Sequence, residues 1–186
     1  AIMSEEKKCC FTGYRPHKFP FSLTEESAER TRFENKLYDA VSSLPNENCF
    51  KFYCGMASGF DIVAGETVAA LKKMINTARV ELIAVIPFKK QAESFEKEWQ
   101  ERYCSLLKKA DKIVYVCEEY QKDCYQKRNH YMVDNSDIVI TWFDGKQGGT
   151  AATLRYASKL GKKIVNLCEN GVHEYDIESP YIIEDE

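Results

Sequence analysis

Short apolar runs alternate with helix-length segments along most of this chain, and this alternation limits the folds it can adopt. Residues 80–86 (VELIAVI) are almost continuously apolar and end at Pro87, which is typical of a strand covered on both faces. Similar strand-length runs occur at residues 8–12, 49–54, 112–117, 137–143 and 163–167. Strands joined by helix-length segments imply right-handed crossovers. The sequence therefore predicts an α/β fold: a single Rossmann-like domain with a mostly parallel sheet and helices on both faces.

The domain is expected to cover residues 8–168, followed by an irregular C-terminal tail at residues 169–186. The chain has 186 residues, of which 44% are hydrophobic and 30% charged, and that is enough for one sizeable core. Ser22 and Glu25 have the spacing of a capping box and predict the start of the first helix nearby. No internal repeat or linker interrupts the pattern.

Charge and hydropathy argue against two classes of partner. No run approaches the roughly 18 apolar residues that a membrane helix needs, so we expect no membrane insertion and a cytoplasmic location. The net charge is −3, and pairs of lysines are scattered among acidic residues rather than clustered. Nucleic acid is therefore not expected as the main partner. Assembly into a homo-oligomer is compatible with the sequence.

The cysteines and histidines do not predict a metal site. The eight cysteines include no C-x-x-C pair, and several lie inside predicted strands, where cysteine acts as a small buried apolar residue. The three histidines are separated from one another and from any pair of cysteines at metal-ligand spacing. We expect reduced structural thiols and no bound metal.

Gly148-Gly149-Thr150 is the strongest local indication of a ligand site. It lies between the strand-like residues 137–143 and the helix-like residues 151–160. Two glycines allow a sharp turn and a close approach to a ligand, and the free N–H groups of the next helical turn attract anions, most often phosphate. The alternative is an ordinary strand-to-helix turn in which Thr150 is the N-cap.

Two further glycine-containing junctions follow strand-like runs. Residues 13–17 (GYRPH) follow the first run and residues 55–61 (GMASGFD) follow the second. The carboxyl ends of parallel strands meet at one edge of a sheet, where ligands bind near the point at which the winding reverses. We therefore expect a phosphate-bearing ligand in a cleft at this edge. The G-x-G-x-x-G and P-loop patterns are absent from these junctions, which argues against an NAD dehydrogenase or a P-loop ATPase.

Taken together in this order, the motifs resemble the YpsA-like family. The matching segments are residues 12–17 (TGYRPH), residues 55–61, Ile86-Pro87-Phe88, Arg128-Asn129 before Ser136-Asp137, and Gly148-Gly149-Thr150 with Thr153. The family belongs to the SLOG superfamily, which also contains the DNA-processing protein DprA and the LOG phosphoribohydrolases. This resemblance covers about residues 8–168, and it implies a Rossmann-like domain that binds nucleotides or nucleotide-derived ligands, with no certain cofactor.

The resemblance assigns roles to several residues. Gly148, Gly149 and Thr150 would hold a phosphate, while Gly13 and Gly59 would give the ligand room. Arg15 would pair with a phosphate or stack on a base, unless it is an ordinary surface arginine. Asp61 would bind ribose hydroxyls or order the second junction. The remaining residues of the implied ligand-binding set are Thr12, Gly55, Ser58, Pro87, Arg128, Asn129 and Thr153.

Aromatic residues beside the strand ends are ambiguous in the sequence. Tyr14, Phe60 and Phe88 would flank a base or would pack in the core. Arg128 and Asn129 match an Arg-Asn pair of DprA-like proteins, and without that match they indicate only a solvated helix face.

Thr153 is the main departure from the LOG pattern. LOG enzymes have P-G-G-x-G-T-x-x-E, and Thr153 stands where that glutamate would follow Thr150. A hydroxyl cannot replace a carboxylate that stabilises oxocarbenium-like charge or activates water. We therefore favour a nucleotide-binding sensor or regulator. The alternatives are a hydrolase or transferase of the N-glycosidic bond, with Asp61 as the candidate catalytic residue, and DprA-like binding of single-stranded DNA. Whether the protein is an enzyme is left open.

Overall fold

The computed structural model describes residues 5–169, so the predicted tail lies outside the described residues except for Glu169. Strands and helices alternate as the sequence predicts. The strands are β1 (Lys7–Gly13), β2 (Cys49–Cys54), β3 (Glu81–Ile86), β4 (Lys112–Tyr115), β5 (Ile138–Trp142) and β6 (Lys163–Asn166). The helices are α1 (Ala28–Ser43), α2 (Phe60–Ile75), α3 (Lys97–Leu107), α4 (Cys124–Asp134) and α5 (Gly149–Lys159). Short 3₁₀ helices span Pro16–Lys18, Leu44–Glu47 and Gln91–Ser94.

All the paired strands of the sheet are parallel, and their order is β4-β3-β2-β1-β5-β6. Helix α1 contacts α2 and α2 contacts α3, whereas α4 contacts α5. Since crossovers between parallel strands are right-handed as a rule, these two groups of helices cover opposite faces of the sheet. The predicted α/β fold with a Rossmann-like parallel sheet is confirmed.

The winding reverses between β1 and β5, which are neighbours in the sheet although α1 to α4 separate them along the chain. Cys9 of β1 is in register with Ile138 of β5, and Gly13 is in register with Trp142. The first and third glycine-containing junctions therefore begin side by side. This is the position at which open α/β sheets bind their ligands.

The two central strands are buried on both faces, and aromatic rings link them to the helices. The ring of Phe11 in β1 stacks on Phe52 of β2 at 6.1 Å and meets Phe60 of α2 edge-on at 6.4 Å. All eight cysteines are free thiols, and Cys104 is the exposed one among them. Burial raises the pKa of the Cys10 thiol to about 12, so this residue stays protonated at neutral pH and behaves as an apolar core residue.

The first helix begins later than the predicted capping box. Ser27 is its N-cap, and the Ser27 hydroxyl accepts a hydrogen bond from the Arg30 N–H at 3.1 Å. Ser22 instead accepts bonds from the N–H groups of Thr24 and Glu25, at 3.1 and 2.9 Å, in a separate turn. The capping-box prediction was wrong because Ser22 stabilises a local turn and a second serine is better placed to cap the helix.

Gly59 brings the first and second junctions into direct contact. Its φ is +93°, and a Cβ at this position would lie 2.5 Å from the Tyr14 carbonyl oxygen and 2.9 Å from the Pro16 nitrogen. That carbonyl accepts a hydrogen bond from the Phe60 N–H at 3.1 Å. A side chain at residue 59 would thus separate two backbone segments that are hydrogen-bonded.

None of the helices within residues 5–169 is both long and apolar enough to cross a membrane.

We expect Gly59→Ala to lower the free energy of unfolding by about 2–5 kcal/mol, because backbone strain is added to a backbone clash. Urea unfolding measures the change. Gly161→Ala is the matched control, since Gly161 also has a positive φ of +73° but no heavy atom lies within 4 Å of its Cβ position. It should cost about 1–2 kcal/mol. Equal losses in the two variants would show that the close approach at Gly59 contributes nothing.

Candidate functional site

Tyr14 joins the first junction to the third. Its hydroxyl donates a hydrogen bond to the Asp144 carboxylate at 2.7 Å and accepts bonds from the N–H groups of Asp144 and Lys146, at 3.3 and 3.0 Å. The side chain is buried, with 2% of its surface exposed. One phenol therefore fixes the loop that leads into the Gly148-Gly149 turn.

The environment of Tyr14 keeps its hydroxyl neutral. Burial and the hydrogen bond to Asp144 both raise the pKa of Tyr14 well above its ordinary value, and the two bonds from backbone N–H groups only partly oppose this. The Tyr14 hydroxyl thus stays protonated at any physiological pH and continues to donate its hydrogen bond to Asp144.

Two lysines add a second connection between these junctions. The Lys146 ammonium group donates to the Lys18 carbonyl oxygen at 2.5 Å, and the Lys18 ammonium group donates to the Gln147 carbonyl oxygen at 3.3 Å. Because both bonds are exposed, they stabilise the loop less than the buried Tyr14 hydroxyl does.

The third junction has the geometry of an anion-binding helix start. Gly148 is the N-cap of α5, with a φ of +153°, and no side chain caps the helix there. The first-turn N–H groups of α5 accordingly lack an intrahelical acceptor. Gly149, Thr150 and Ala151 make up this first turn and are buried.

Thr153 uses its hydroxyl within the helix. The Thr153 hydroxyl donates a hydrogen bond to the Gly149 carbonyl oxygen at 2.8 Å, and the side chain is buried. Residue 153 therefore stabilises the turn that starts α5, and it brings no carboxylate to the site.

Arg128 crosses from α4 to hold the second junction. Only 2% of its surface is exposed, and its guanidinium donates to the Gly55 carbonyl oxygen at 2.6 Å and to the Asn129 side-chain oxygen at 2.7 Å. The Gln91 amide also donates to the Gly55 carbonyl oxygen, at 3.3 Å. The residue that the sequence placed on a solvated helix face or in the ligand site is thus buried against the backbone, and a direct contact with a ligand stays a prediction.

Asp61 lies beside this guanidinium. A Cβ on Gly55 would lie 2.6 Å from Nη1 of Arg128 and 2.8 Å from Oδ2 of Asp61, so both groups surround one point. The Asp61 carboxylate also accepts a bond from the Ala57 N–H at 3.3 Å, and 5% of the residue is exposed. Asp61 therefore contacts the backbone of the second junction, and its two expected roles, binding ribose hydroxyls or ordering this junction, stay predictions.

The glycines at 13 and 59 have a packing explanation. A Cβ on Gly13 would lie 2.4 Å from the Phe60 ring, and the backbone of residues 14–16 occupies the space where a Cβ on Gly59 would lie. Tyr14 and Phe60 are themselves buried, so they belong to the core rather than to the wall of a cleft. Room for a ligand at these glycines stays a prediction.

Arg15 and Ser58 share a cavity of about 230 Å³ with residues that the sequence did not single out. The Arg15 guanidinium lies over the Tyr125 ring, 5.5 Å from its centroid, and the Arg128 guanidinium lies 5.7 Å from the same centroid. Tyr125 and Gln91 were missed. The signal for Tyr125 was its position three residues before Arg128, which places the two on one side of a helix.

The other predicted residues lie at the same edge of the sheet. Thr12 is in register with Thr141 near the ends of β1 and β5. Pro87 follows β3, and its carbonyl oxygen accepts a bond from the Cys117 N–H at 3.0 Å. The cavity that contains Arg15 does not include the Gly148-Gly149 turn, which lies on the β5 side of residues 14–16. Within residues 5–169, no group of three or more His, Cys, Asp or Glu side chains could hold a metal ion.

Comparison with known proteins places these motifs in a family. The YpsA family model, described as the YspA SLOG family, matches residues 9–173. An uncharacterised SPbeta prophage-derived protein of Bacillus subtilis (strain 168), YoqJ, is 31% identical over 161 residues, which covers 78% of this chain and 93% of that protein.

Two solved structures share the fold at low sequence identity. DNA processing protein A from Helicobacter pylori has a TM-score of 0.57 and 18% identity, over 85% of this chain and 63% of that one. DNA processing protein A from Streptococcus pneumoniae has a TM-score of 0.56 and 17% identity, over 86% of this chain and 49% of that one. The chain thus spans 63% and 49% of these two DprA chains, less than two thirds of either, and the likeness shows the fold alone.

We expect Tyr14→Phe to lower the free energy of unfolding by about 1–3 kcal/mol, because two partly buried N–H groups and a carboxylate lose their shared partner. Urea unfolding measures the change. Tyr38→Phe is the matched control, since the Tyr38 hydroxyl makes no hydrogen bond to any residue within 5–169. Hydrogen exchange at residues 143–149 should become faster in Tyr14→Phe alone.

The stability difference between wild type and Tyr14→Phe should also depend on pH. Because the pKa of Tyr14 is raised in the folded state, its contribution is complete below the unfolded pKa of about 10 and is lost as pH rises toward the folded pKa. A difference that stays constant up to pH 11 would contradict the assigned hydrogen bonds.

Proposed function

Because this chain belongs to the YspA SLOG family, we propose that it binds a nucleotide or nucleotide-derived ligand, ADP-ribose-like or a nucleoside phosphate, at the strand-end cleft and acts as a sensor or regulator. The observation that carries the proposal is the fixed Gly148-Gly149 turn, which presents the uncapped start of α5 at the point where the winding of the sheet reverses.

Preorganisation supports a binding role. The loop before α5 is held by the buried Tyr14 hydroxyl and by two lysines. The helix start that follows this loop therefore does not need to be ordered when a ligand binds. A site that is already ordered loses less conformational entropy on binding, which favours affinity. The partial positive charge at the start of α5 favours an anion such as a phosphate.

The contacts of Asp61 and Thr153 argue against rapid hydrolysis of the N-glycosidic bond. The Thr153 hydroxyl donates a hydrogen bond to the helix backbone, and the Asp61 carboxylate accepts one from the Ala57 N–H beside the Arg128 guanidinium. Binding without turnover is therefore the favoured function, and N-glycosidic hydrolysis is the alternative.

Nucleic acid is proposed as at most a minor partner. The Helicobacter pylori protein that shares the fold binds single-stranded DNA, but at 18% identity this likeness does not transfer a ligand. The net charge of −3 and the scattered lysines supply no stripe of cations that would displace counterions from a phosphate backbone. The cytoplasmic location and a homo-oligomeric state stay predictions from the sequence.

We expect Gly149→Val to weaken binding of the ligand at least tenfold and to leave the fold intact, because a branched side chain would fill the space that a phosphate would occupy. Calorimetry with AMP and ADP-ribose measures the affinity, and the melting temperature checks the fold. Ser158→Val is the matched control, since residue 158 lies on the same helix, far from its start.

The same titrations test the central proposal and the DNA-binding alternative. If Gly149→Val binds the ligand with the affinity of wild type, the Gly148-Gly149 segment is only a structural turn and the central proposal fails. Tight binding of a single-stranded oligonucleotide at physiological salt, with a steep salt dependence, would replace the nucleotide proposal by DprA-like DNA binding.

Wild-type protein given AMP should release free adenine no faster than a binding-only protein, because residue 153 is a threonine. Chromatography of the reaction mixture measures the released base. Multiple turnovers would show that another carboxylate takes part in catalysis. The Asp61→Asn variant would then test whether Asp61 is that carboxylate. Loss of turnover with binding retained would assign chemistry to Asp61, whereas loss of both would make Asp61 a ligand contact or a structural cap.

A further inference from the structure

We propose that the cavity beside Arg15 and Tyr125 holds the base of the nucleotide, and that Glu96 at its rim selects bases that carry an exocyclic amino group. The inference rests on the proposed function. It adds which part of the ligand this cavity binds and the chemical class of that part. The cavity lies between the first junction, the second junction and the start of α3, and its walls include Arg15, Ser58, Phe95, Glu96, Trp99 and Tyr125.

The size of the cavity fits a part of a nucleotide. Its volume is about 230 Å³, whereas pockets that enclose whole drug-sized ligands have roughly 300–1,000 Å³. A flat heterocycle is the component that suits a small cavity with aromatic walls, because bases bind by stacking on aromatic rings and on guanidinium planes.

Arg15 and Tyr125 form a wall that is fixed in advance. The Arg15 guanidinium lies over the Tyr125 ring, and the Phe88 ring meets the same ring nearly edge-on at 5.9 Å. Arg15 is also the neighbour of Tyr14, whose hydroxyl holds the loop before the Gly148-Gly149 turn. The proposed base wall and the proposed phosphate turn are therefore parts of one rigid frame.

Glu96 is exposed and supplies an acceptor to the lining of the cavity. It is the N-cap residue of α3, but its side chain makes no capping hydrogen bond, and within residues 5–169 the carboxylate has no ion-pair partner. An ionised carboxylate only accepts hydrogen bonds, so it pairs with an amino group and repels a carbonyl oxygen. Adenine and cytosine carry such an amino group, whereas hypoxanthine and uracil have an oxygen in its place.

Calorimetry with AMP, IMP and ribose 5-phosphate tests the inference. We expect AMP to bind at least fivefold tighter than IMP, and ribose 5-phosphate to bind roughly 5- to 100-fold more weakly than AMP because it lacks a base that can stack. Glu96→Gln should remove the preference for AMP over IMP, since an amide can also donate. Glu93→Gln is the matched control, because Glu93 is exposed in the preceding 3₁₀ helix and does not line the cavity.

The failures of the two proposals are distinguishable. If AMP, IMP and ribose 5-phosphate bind equally well and Gly149→Val weakens all three, the base pocket is overturned while the phosphate site stands. A preference for AMP that survives in Glu96→Gln overturns the role of Glu96. If no nucleotide binds, both proposals fall. Tyr125→Leu removes the aromatic ring but leaves an apolar side chain, and it should weaken the binding of AMP without weakening the binding of ribose 5-phosphate.

Discussion

The close association of residues 14–16 with the other two junctions is the contact on which the site depends. The Tyr14 carbonyl oxygen accepts a bond from the start of α2, while the Tyr14 hydroxyl holds the loop before α5. A single residue thereby sets the relative position of two helix starts that lie on opposite faces of the sheet. Gly59 makes this possible, because any side chain there would occupy the space of the Tyr14 carbonyl group.

Arg128 has a comparable role at the second junction. An arginine that is almost completely buried loses its hydration, and this loss is tolerated only when carbonyl oxygens and a carboxylate replace water. The Gly55 carbonyl oxygen and the adjacent Asp61 carboxylate supply that replacement. Removing one partner would leave the other charge buried, so Arg128 and Asp61 variants will report on stability as well as on binding.

The contacts of the site support the proposed role in binding. The loop that leads into α5 is held by hydrogen bonds to the Tyr14 hydroxyl, and the Asp61 carboxylate accepts a bond from the Ala57 N–H and lies beside the Arg128 guanidinium. Fixed donors favour an anion in the ground state as well as in a transition state, which lowers the free energy of binding without accelerating a reaction. Regulation by a nucleotide-type ligand is consistent with such uniform binding.

The sequence by itself determined the fold class and the edge of the sheet at which the junctions meet, because apolar runs of strand length and glycines after strands are local signals. It also placed Gly148 and Gly149 at the start of a helix. It did not determine that Arg128 is buried, that Tyr125 faces Arg15, or that Ser27 rather than Ser22 caps α1. The first two outcomes depend on which side chains from distant segments meet, and only the tertiary structure decided them. Arg128 donates to the Gly55 carbonyl oxygen 73 residues away along the chain, and the Arg15 guanidinium lies over a ring 110 residues away, so no local pattern records either contact.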